Sequence, residues 1–271
     1  MNYSEEADFR EKTGFVDGMF TSISALVGLD GSLPSSARLW NVLELGGSGG
    51  LLAGLLSEHF KRIICIDIQD QQKQYGGKFA SLLKEKFLGS GRDFDLGRLE
   101  FQVASAMDLP YKHELFDCVY SCNAFEHIPD PMAALREAVR VTKRGGFIYL
   151  SFGPIWTAYT GSHFIHLVPE PWRHLLVGQD QYCRELAAAG GSTEQVSDFV
   201  NGLNRKPPSL YRDDFPRALK EDGVAEFKMF SWEDNEEPLH QSHPNRLKAA
   251  KELDLAPDDL LIQGFSFVIK K

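Results

Sequence analysis

Several patterns are missing from this 271-residue sequence, and each absence narrows what the chain can do. Its four cysteines, Cys65, Cys118, Cys122 and Cys183, form no CxxC pair and no disulfide-framework spacing. Cys65 and Cys118 fall inside apolar runs and read as buried free thiols. No stretch approaches the roughly 20 consecutive apolar residues that a membrane span needs. The N-terminal residues carry Glu5, Glu6, Asp8 and Glu11 where a secretory leader has a basic and then an apolar region. The expectation is a cytoplasmic chain without a membrane partner. Long Lys/Arg runs are absent too, and the formal net charge of -9 disfavours a sequence-independent grip on nucleic acid, which needs a basic face. Oligomeric state is not legible.

What is present is an alternation. From about Leu39 to Phe152, short apolar runs alternate with amphipathic segments, the pattern of βαβ units and a parallel sheet. The strands read as Trp40–Leu45, Ile63–Asp67, Leu99–Val103, Phe116–Ser121 and Phe147–Phe152. Phe79, Leu82, Leu83 and Phe87 share helical spacing. Asp130 and Pro131 supply an N-cap and a first-turn proline, and Lys143, Arg144 and Gly145 are expected to close that helix. After Phe152 the texture turns to Trp, His and Pro, with a capping box at Ser192-Thr193-Glu194-Gln195. Ala225–Trp232 and Leu260–Ile269 read as the last strands, with a helix over Arg246–Leu253 between them. The fold class is therefore α/β: a doubly wound, mostly parallel, Rossmann-like sheet of seven strands. One or two N-terminal helices precede it, and helices are inserted after strand five. The expected divisions are 1–38 (N-terminal helices), 39–152 (cofactor-binding core), 153–222 (helical substrate cap) and 223–271 (closing strands).

The first strand runs directly into Gly46-Gly47-Ser48-Gly49-Gly50. Such a loop permits close approach of a ligand and presents backbone N–H groups. A phosphate-binding P-loop would close on Gly-Lys-Ser/Thr, but no lysine follows before Lys61. A dinucleotide fingerprint counted from Gly47 would need its third glycine at Leu52. What fits is an acid two residues before the first glycine, Glu44, able to reach the positive amino group of an amino-acid-bearing cofactor. Asp67, ending the second strand, can accept hydrogen bonds from two vicinal ribose hydroxyls. Asp108, after the third strand, is placed to take an adenine amino proton. Acids at three successive strand ends converge on the switch-point crevice of an open sheet.

On these residues the chain resembles the class I S-adenosylmethionine-dependent methyltransferases of small-molecule type. The resemblance runs from Val42 to Phe152, about two fifths of the chain. It rests on Val42-Leu43-Glu44-Leu45-Gly46-Gly47-Ser48-Gly49-Gly50, Asp67, Ala106-Met107-Asp108-Leu109-Pro110, Phe116-Asp117-Cys118-Val119-Tyr120, Glu126-His127-Ile128-Pro129-Asp130-Pro131 and Arg144-Gly145-Gly146. Ser48 departs from the family, which usually has glycine there. The resemblance implies S-adenosyl-L-methionine as cofactor, with the loop at Gly46, Gly47 and Ser48 holding its methionine part, Asp67 the ribose and Asp108 the adenine. Ile68 and Met107 would sandwich the base, and Asn123 would sit beside the methionine end.

Methyl transfer mainly requires an acceptor held close and dry, plus a base for its proton. His127, after the fourth strand, is one candidate and His163 the other. Some small-molecule methyltransferases carry a segment similar to Gly153-Pro154-Ile155-Trp156 and Gly161-Ser162-His163, which points to a substrate cap. Trp156, Tyr159, His166 and Trp172 are its expected acceptor contacts, with Arg205 and Tyr211 more readily explained by packing. His163 and His166, three apart, have a spacing that a divalent metal uses, but no cysteines accompany them and a substrate contact is the favoured reading. The leading function is methylation of a small molecule at O, N or C. Two alternatives stay open: a non-methylating or metal-assisted reaction of the same cofactor, and a non-catalytic binding module. The acidic charge and the lack of an Asn/Asp-Pro-Pro-Tyr/Phe motif at Cys122-Asn123-Ala124-Phe125 disfavour nucleic-acid or protein acceptors.

Overall fold

A computed structural model describes residues 3–47, 49–224, 226–233, 240 and 242–271. Its centre is one seven-stranded sheet: β1 (Asn41–Leu45), β2 (Arg62–Asp67), β3 (Leu99–Val103), β4 (Phe116–Cys122), β5 (Thr142–Phe152), β6 (Glu226–Glu233) and β7 (Ile262–Lys270), in the order β3-β2-β1-β4-β5-β7-β6. The first five strands are parallel, while β7 lies antiparallel to both β5 and β6. The strand order reverses between β1 and β4, which opens a crevice beyond their carboxyl ends.

Both faces of the sheet are covered, and strand alternation decides which residue goes where. Leu43, Leu45, Ile64, Ile66 and Val119 pack with α5 (Pro131–Val141) and α9 (Phe215–Glu221). Val42, Ile63, Cys65, Cys118 and Tyr120 pack with α1 (Tyr3–Val27) and α2 (Leu51–Leu56) on the other face. Glu44 belongs to this second set by parity, so its carboxyl enters an apolar layer. The N-terminal segment is one long helix, α1, followed by a 3-10 turn at Ser35–Leu39.

Two local readings are corrected. In α4 (Phe79–Gly89) the buried positions are Phe79, Leu83 and Phe87, an i, i+4, i+8 stripe, whereas Leu82 is 42% exposed. Lys143, Arg144 and Gly145 do not close α5. That helix stops at Val141, where Thr142 turns extended and pairs with Phe116, and Lys143 reaches across to the Asp117 carboxylate at 2.7 Å. Pairing along β4 therefore begins five residues before the apolar run that reads as a strand.

After β5, residues 153–172 contain no helix, in keeping with Pro154, Pro169 and Pro171. The helices follow: α6 (Arg173–Leu176), α7 (Gln179–Ala188) and α8 (Thr193–Asn201), then a π-turn at Leu210–Asp214 leading into α9. Ser192 caps α8 through the reciprocal bonds of the capping box. The helix between the last two strands, α10, spans Pro244–Leu253. Ala225 lies outside the described residues.

Leu43→Ala should cost about 2–5 kcal/mol of unfolding free energy, because Leu43 is wholly enclosed between the central strands and α5. Leu82→Ala should cost less than about 0.5 kcal/mol. Urea unfolding of the two variants checks the pair; equal losses would place the core boundary elsewhere.

Candidate active site

The crevice beyond β1 and β4 opens into a cavity of about 640 Å³, within the range of small-molecule sites. Gly46, Asp67, Ile68 and Met107 line one end of it. His127, His163, Phe164 and the end of α8 line the other. A narrow second cleft behind Asp67 reaches Gly47 and Phe101.

The floor is made by the glycine turn. Gly46 has φ +74°, and a Cβ there would stand 2.4 Å from that of Ala124. A Cβ on Gly47 would lie 2.5 Å from Glu44 Oε2. Glycine is required at both positions for the turn to lie flat over the carboxyl. The N–H groups of Gly46 and Gly47 do not face the cavity as donors; both donate to the Ile66 carbonyl, at 2.9 and 3.1 Å. The loop supplies close approach here rather than an N–H cradle. Ser48 lies outside the described residues.

Glu44, 4% exposed, is directly beneath this turn. Burial pushes its carboxyl up to about 7; Cys65 and Tyr120 on the flanking strands, and Lys12 on α1, offset part of the rise. Among the described residues no hydrogen bond reaches its Oε2. A buried carboxyl with a vacant acceptor is costly unless a partner arrives.

The other expected cofactor residues are placed as follows. Asp67 lines the cavity; its Oδ1 accepts from the Gln69 N–H at 2.9 Å, ordering the turn after β2. Ile68, 74% exposed, and Met107 both line the same end. Asp108 does not line it. The Ser105 hydroxyl accepts the Met107 N–H, and the Ser105 carbonyl accepts the Asp108 N–H at 3.2 Å. This turn keeps Met107 at the cavity and leaves Asp108 exposed. Asn123, at φ +51°, lines the cavity and donates to Glu11 of α1 at 3.3 Å.

The two candidate histidines, 36 positions apart in sequence, meet with ring centres 5.1 Å apart. His127 Nδ1 lies 2.6 Å from the Gly202 carbonyl, and His163 Nε2 lies 3.0 Å from the Pro154 carbonyl. A carbonyl only accepts, so these nitrogens carry the protons, and His127 Nε2 and His163 Nδ1 keep their lone pairs. Burial pushes His163 down to about 4, leaving it neutral at physiological pH. Behind His127, Glu126 is 3% exposed; burial raises its carboxyl to about 8, and its Oε1 accepts the Gly153 N–H at 3.3 Å.

The expected acceptor wall is arranged differently. Trp156 packs on His174, Phe199 and the Arg205 guanidinium, within the core under α7 and α8. Trp172 is fully buried against α10, donates its indole N–H to the Thr157 carbonyl and carries Tyr159 against it. His166 is exposed beside Phe164. All four lie outside the cavity lining; the rings of Trp156, Tyr159 and Trp172 are used to cover the apolar faces of α7, α8 and α10. Tyr211 is likewise core, its hydroxyl bonded to Asn204. Among the described residues no group of three or more His, Cys, Asp or Glu side chains is placed to hold a metal ion.

Sequence reasoning missed Phe164, Asp198, Asn201, Gly202 and Leu203, which line the end of the cavity that holds His127 and His163. A signal existed for two of them. The capping box sets the phase of α8, putting Phe199 inward and Asp198 and Asn201 on another face, one turn apart.

As pH rises, the unfolded chain releases the Glu44 proton near 4.5, whereas the folded chain holds it to about 7. Between those values the unfolded state binds fewer protons, so stability falls with rising pH. Below about pH 6.5 His163 and His174, held near 4 by burial, act in the opposite direction, so the net fall in melting temperature should lie between about pH 6.5 and about pH 8. The fall should be smaller in Glu44→Gln, with Glu126 supplying the remaining slope. Identical slopes in the two proteins would show that Glu44 does not titrate in this interval.

Comparison with known proteins agrees with this geometry. Residues 43–150 match the family model described as a methyltransferase domain. The chain is 26% identical over 184 residues to a ubiquinone biosynthesis O-methyltransferase of Nitrosomonas europaea, covering 68% of this chain and 65% of that protein. It is 40% identical over 138 residues to the 27-O-demethylrifamycin SV methyltransferase of Amycolatopsis mediterranei, covering 49% and 51%. It is 27% identical over 248 residues to the ubiquinone/menaquinone biosynthesis C-methyltransferase UbiE of Rickettsia rickettsii, covering 82% and 89%. The chain thus spans less than two thirds of the first two of these relatives. The matched residues run from β1 into β5, so the part of the chain that is similar to a methyltransferase domain is the part that builds the crevice between β1 and β4.

Proposed function

We propose that the crevice binds S-adenosyl-L-methionine and that the chain methylates a small molecule at oxygen, nitrogen or carbon. One observation supports the reading: among the described residues, none hydrogen-bonds Oε2 of the buried Glu44 carboxyl, and Gly46 and Gly47 place no Cβ over it. An ammonium group at that turn would satisfy the vacant acceptor and draw the carboxyl into its ionised form. The residues present fit the cofactor in this respect. Glu44 would hold the amino group, Asp67 the ribose hydroxyls through the oxygen not tied to Gln69, and Ile68 and Met107 the base. Asn123 would border the methionine end. Asp108, exposed beside Met107, is left to reach the adenine edge from outside the lining. When bound, the cofactor supplies a methyl group already activated by its sulfonium.

The chain's own residues then orient the acceptor, exclude water and take a proton. His127 is the base in this reading, since its Nε2 lone pair is available while Nδ1 is pinned by Gly202. His163, neutral and buried beside it, holds the acceptor's polar group with Nδ1. Trp156, Tyr159, His166 and Trp172 contribute by shaping the cap, not by contact. The relatives' names divide between O- and C-methylation. That is the variation expected where one cofactor end serves different acceptor ends.

Asp67→Ala should weaken cofactor binding at least about tenfold by calorimetry, through loss of charge-assisted hydrogen bonds. His127→Gln should lower kcat by about 100-fold while leaving cofactor affinity within about twofold. Turnover should release S-adenosylhomocysteine; release of methylthioadenosine would overturn methyl transfer. Full activity in His127→Gln would remove it from the proton path.

A further inference from the structure

The acceptor end of the cavity carries an electrostatic selection that can be read group by group. Its lining comprises His127, Ile128, Pro129, His163, Phe164 and the segment 198–203. Among the described residues, no lysine or arginine lines any part of the cavity. The nearest cation in sequence, Arg205, is turned away: its Nη atoms bond Gln179 and the Phe199 carbonyl, and its plane lies over Trp156. Asp198 is exposed to the cavity, and among the described residues none donates to its carboxylate. It stands in the last turn of the nine-residue helix α8, whose carbonyl end adds partial negative charge at the same place. Each histidine spends one N–H on a backbone carbonyl, which leaves His127 Nε2, 4.0 Å from Glu126 Oε1, and His163 Nδ1 as acceptors.

Among the described side chains at this end, each polar group accepts a hydrogen bond or carries negative charge, and the Asn201 amide directs its N–H to the Ser197 hydroxyl at 3.4 Å. A cleft lined by one sign of charge focuses its field inward and repels ligands of that sign.

We propose that this end of the cavity selects acceptors that present O–H or N–H donors and carry no negative charge, and that Asp198 is the residue that reads them. Alcohols, phenols and amines qualify; carboxylates and phosphates are excluded. The inference rests on the methyltransferase reading, with the cofactor occupying the opposite end. Ile128, Pro129, Phe164 and Leu203 supply the apolar surface for the acceptor's body.

The test uses the full chain saturated with S-adenosylhomocysteine, whose binding is first measured by calorimetry. Failure of that binding would sink the functional proposal itself and not this inference alone. Ligand-observed NMR then compares p-cresol, tyramine, phenylacetate and phenyl phosphate. Expected is at least about tenfold tighter binding of p-cresol or tyramine than of either anion. Asp198→Asn should weaken tyramine more than p-cresol if the natural donor is an amine, and both equally if it is a hydroxyl. Asp198→Lys should invert the order and bring phenyl phosphate in, with cofactor affinity unchanged. Anions binding the unmodified protein as tightly as the neutral and cationic probes would overturn the proposal. So would an Asp198→Lys protein with an unaltered order, or a cofactor-loaded protein that takes up neither p-cresol nor tyramine.

Discussion

Glu44 sits at the end of the most central parallel strand, and its parity drives a carboxyl into the apolar layer between the sheet and α1–α2. Strand alternation leaves it no other face. Leaving an acid there without a cation is unfavourable, and the protein meets the problem by holding the group near its protonated form and by keeping Cys65 and Tyr120 beside it. The same constraint shapes the backbone above. Gly47 must lack a side chain because the carboxyl occupies that space, and Gly46 must be left-handed to clear Ala124. The glycine turn and the vacant acceptor both follow from one buried carboxyl.

The opposite end is organised by backbone carbonyls. Pro154 and Gly202, from segments far apart in sequence, each accept one histidine N–H and so set which nitrogens keep their lone pairs. Asn204 ties these pieces together, donating to the Phe125 and Ile128 carbonyls while its own N–H bonds the Glu126 carbonyl. The loop after β4, the start of the segment after β5 and the exit from α8 therefore form one hydrogen-bonded unit. The contrast with the cofactor end is physical: there a single side chain imposes the shape, and here a network does.

The strands of the parallel core and the acids at their ends were legible in the residues. Alternating apolar runs with β-branched and aromatic content identify buried parallel strands, and acids at strand ends stand out against them. Local periodicity failed where a tertiary bond overrode it. Lys143 joins β5 because the Asp117 carboxylate is waiting, and Asp108 turns outward because Ser105 closes the turn before it. Aromatic richness after β5 was a poor guide to ligand contact. Trp156 and Trp172 are large enough to seal two helical subcores, and that use of them takes precedence.

By itself the sequence determined the α/β class, the glycine turn over Glu44 and the identity of the histidines, because these follow from spacing along one chain. Only the tertiary structure decided that His127 meets His163, that α8 brings Asp198 to the same cavity, and that Trp156 and Trp172 lie outside its lining. The reason is one of range: strand parity and helix phase act over a few residues, whereas the cavity wall is assembled from segments as far apart as Gly46 and Leu203, whose meeting is set by packing.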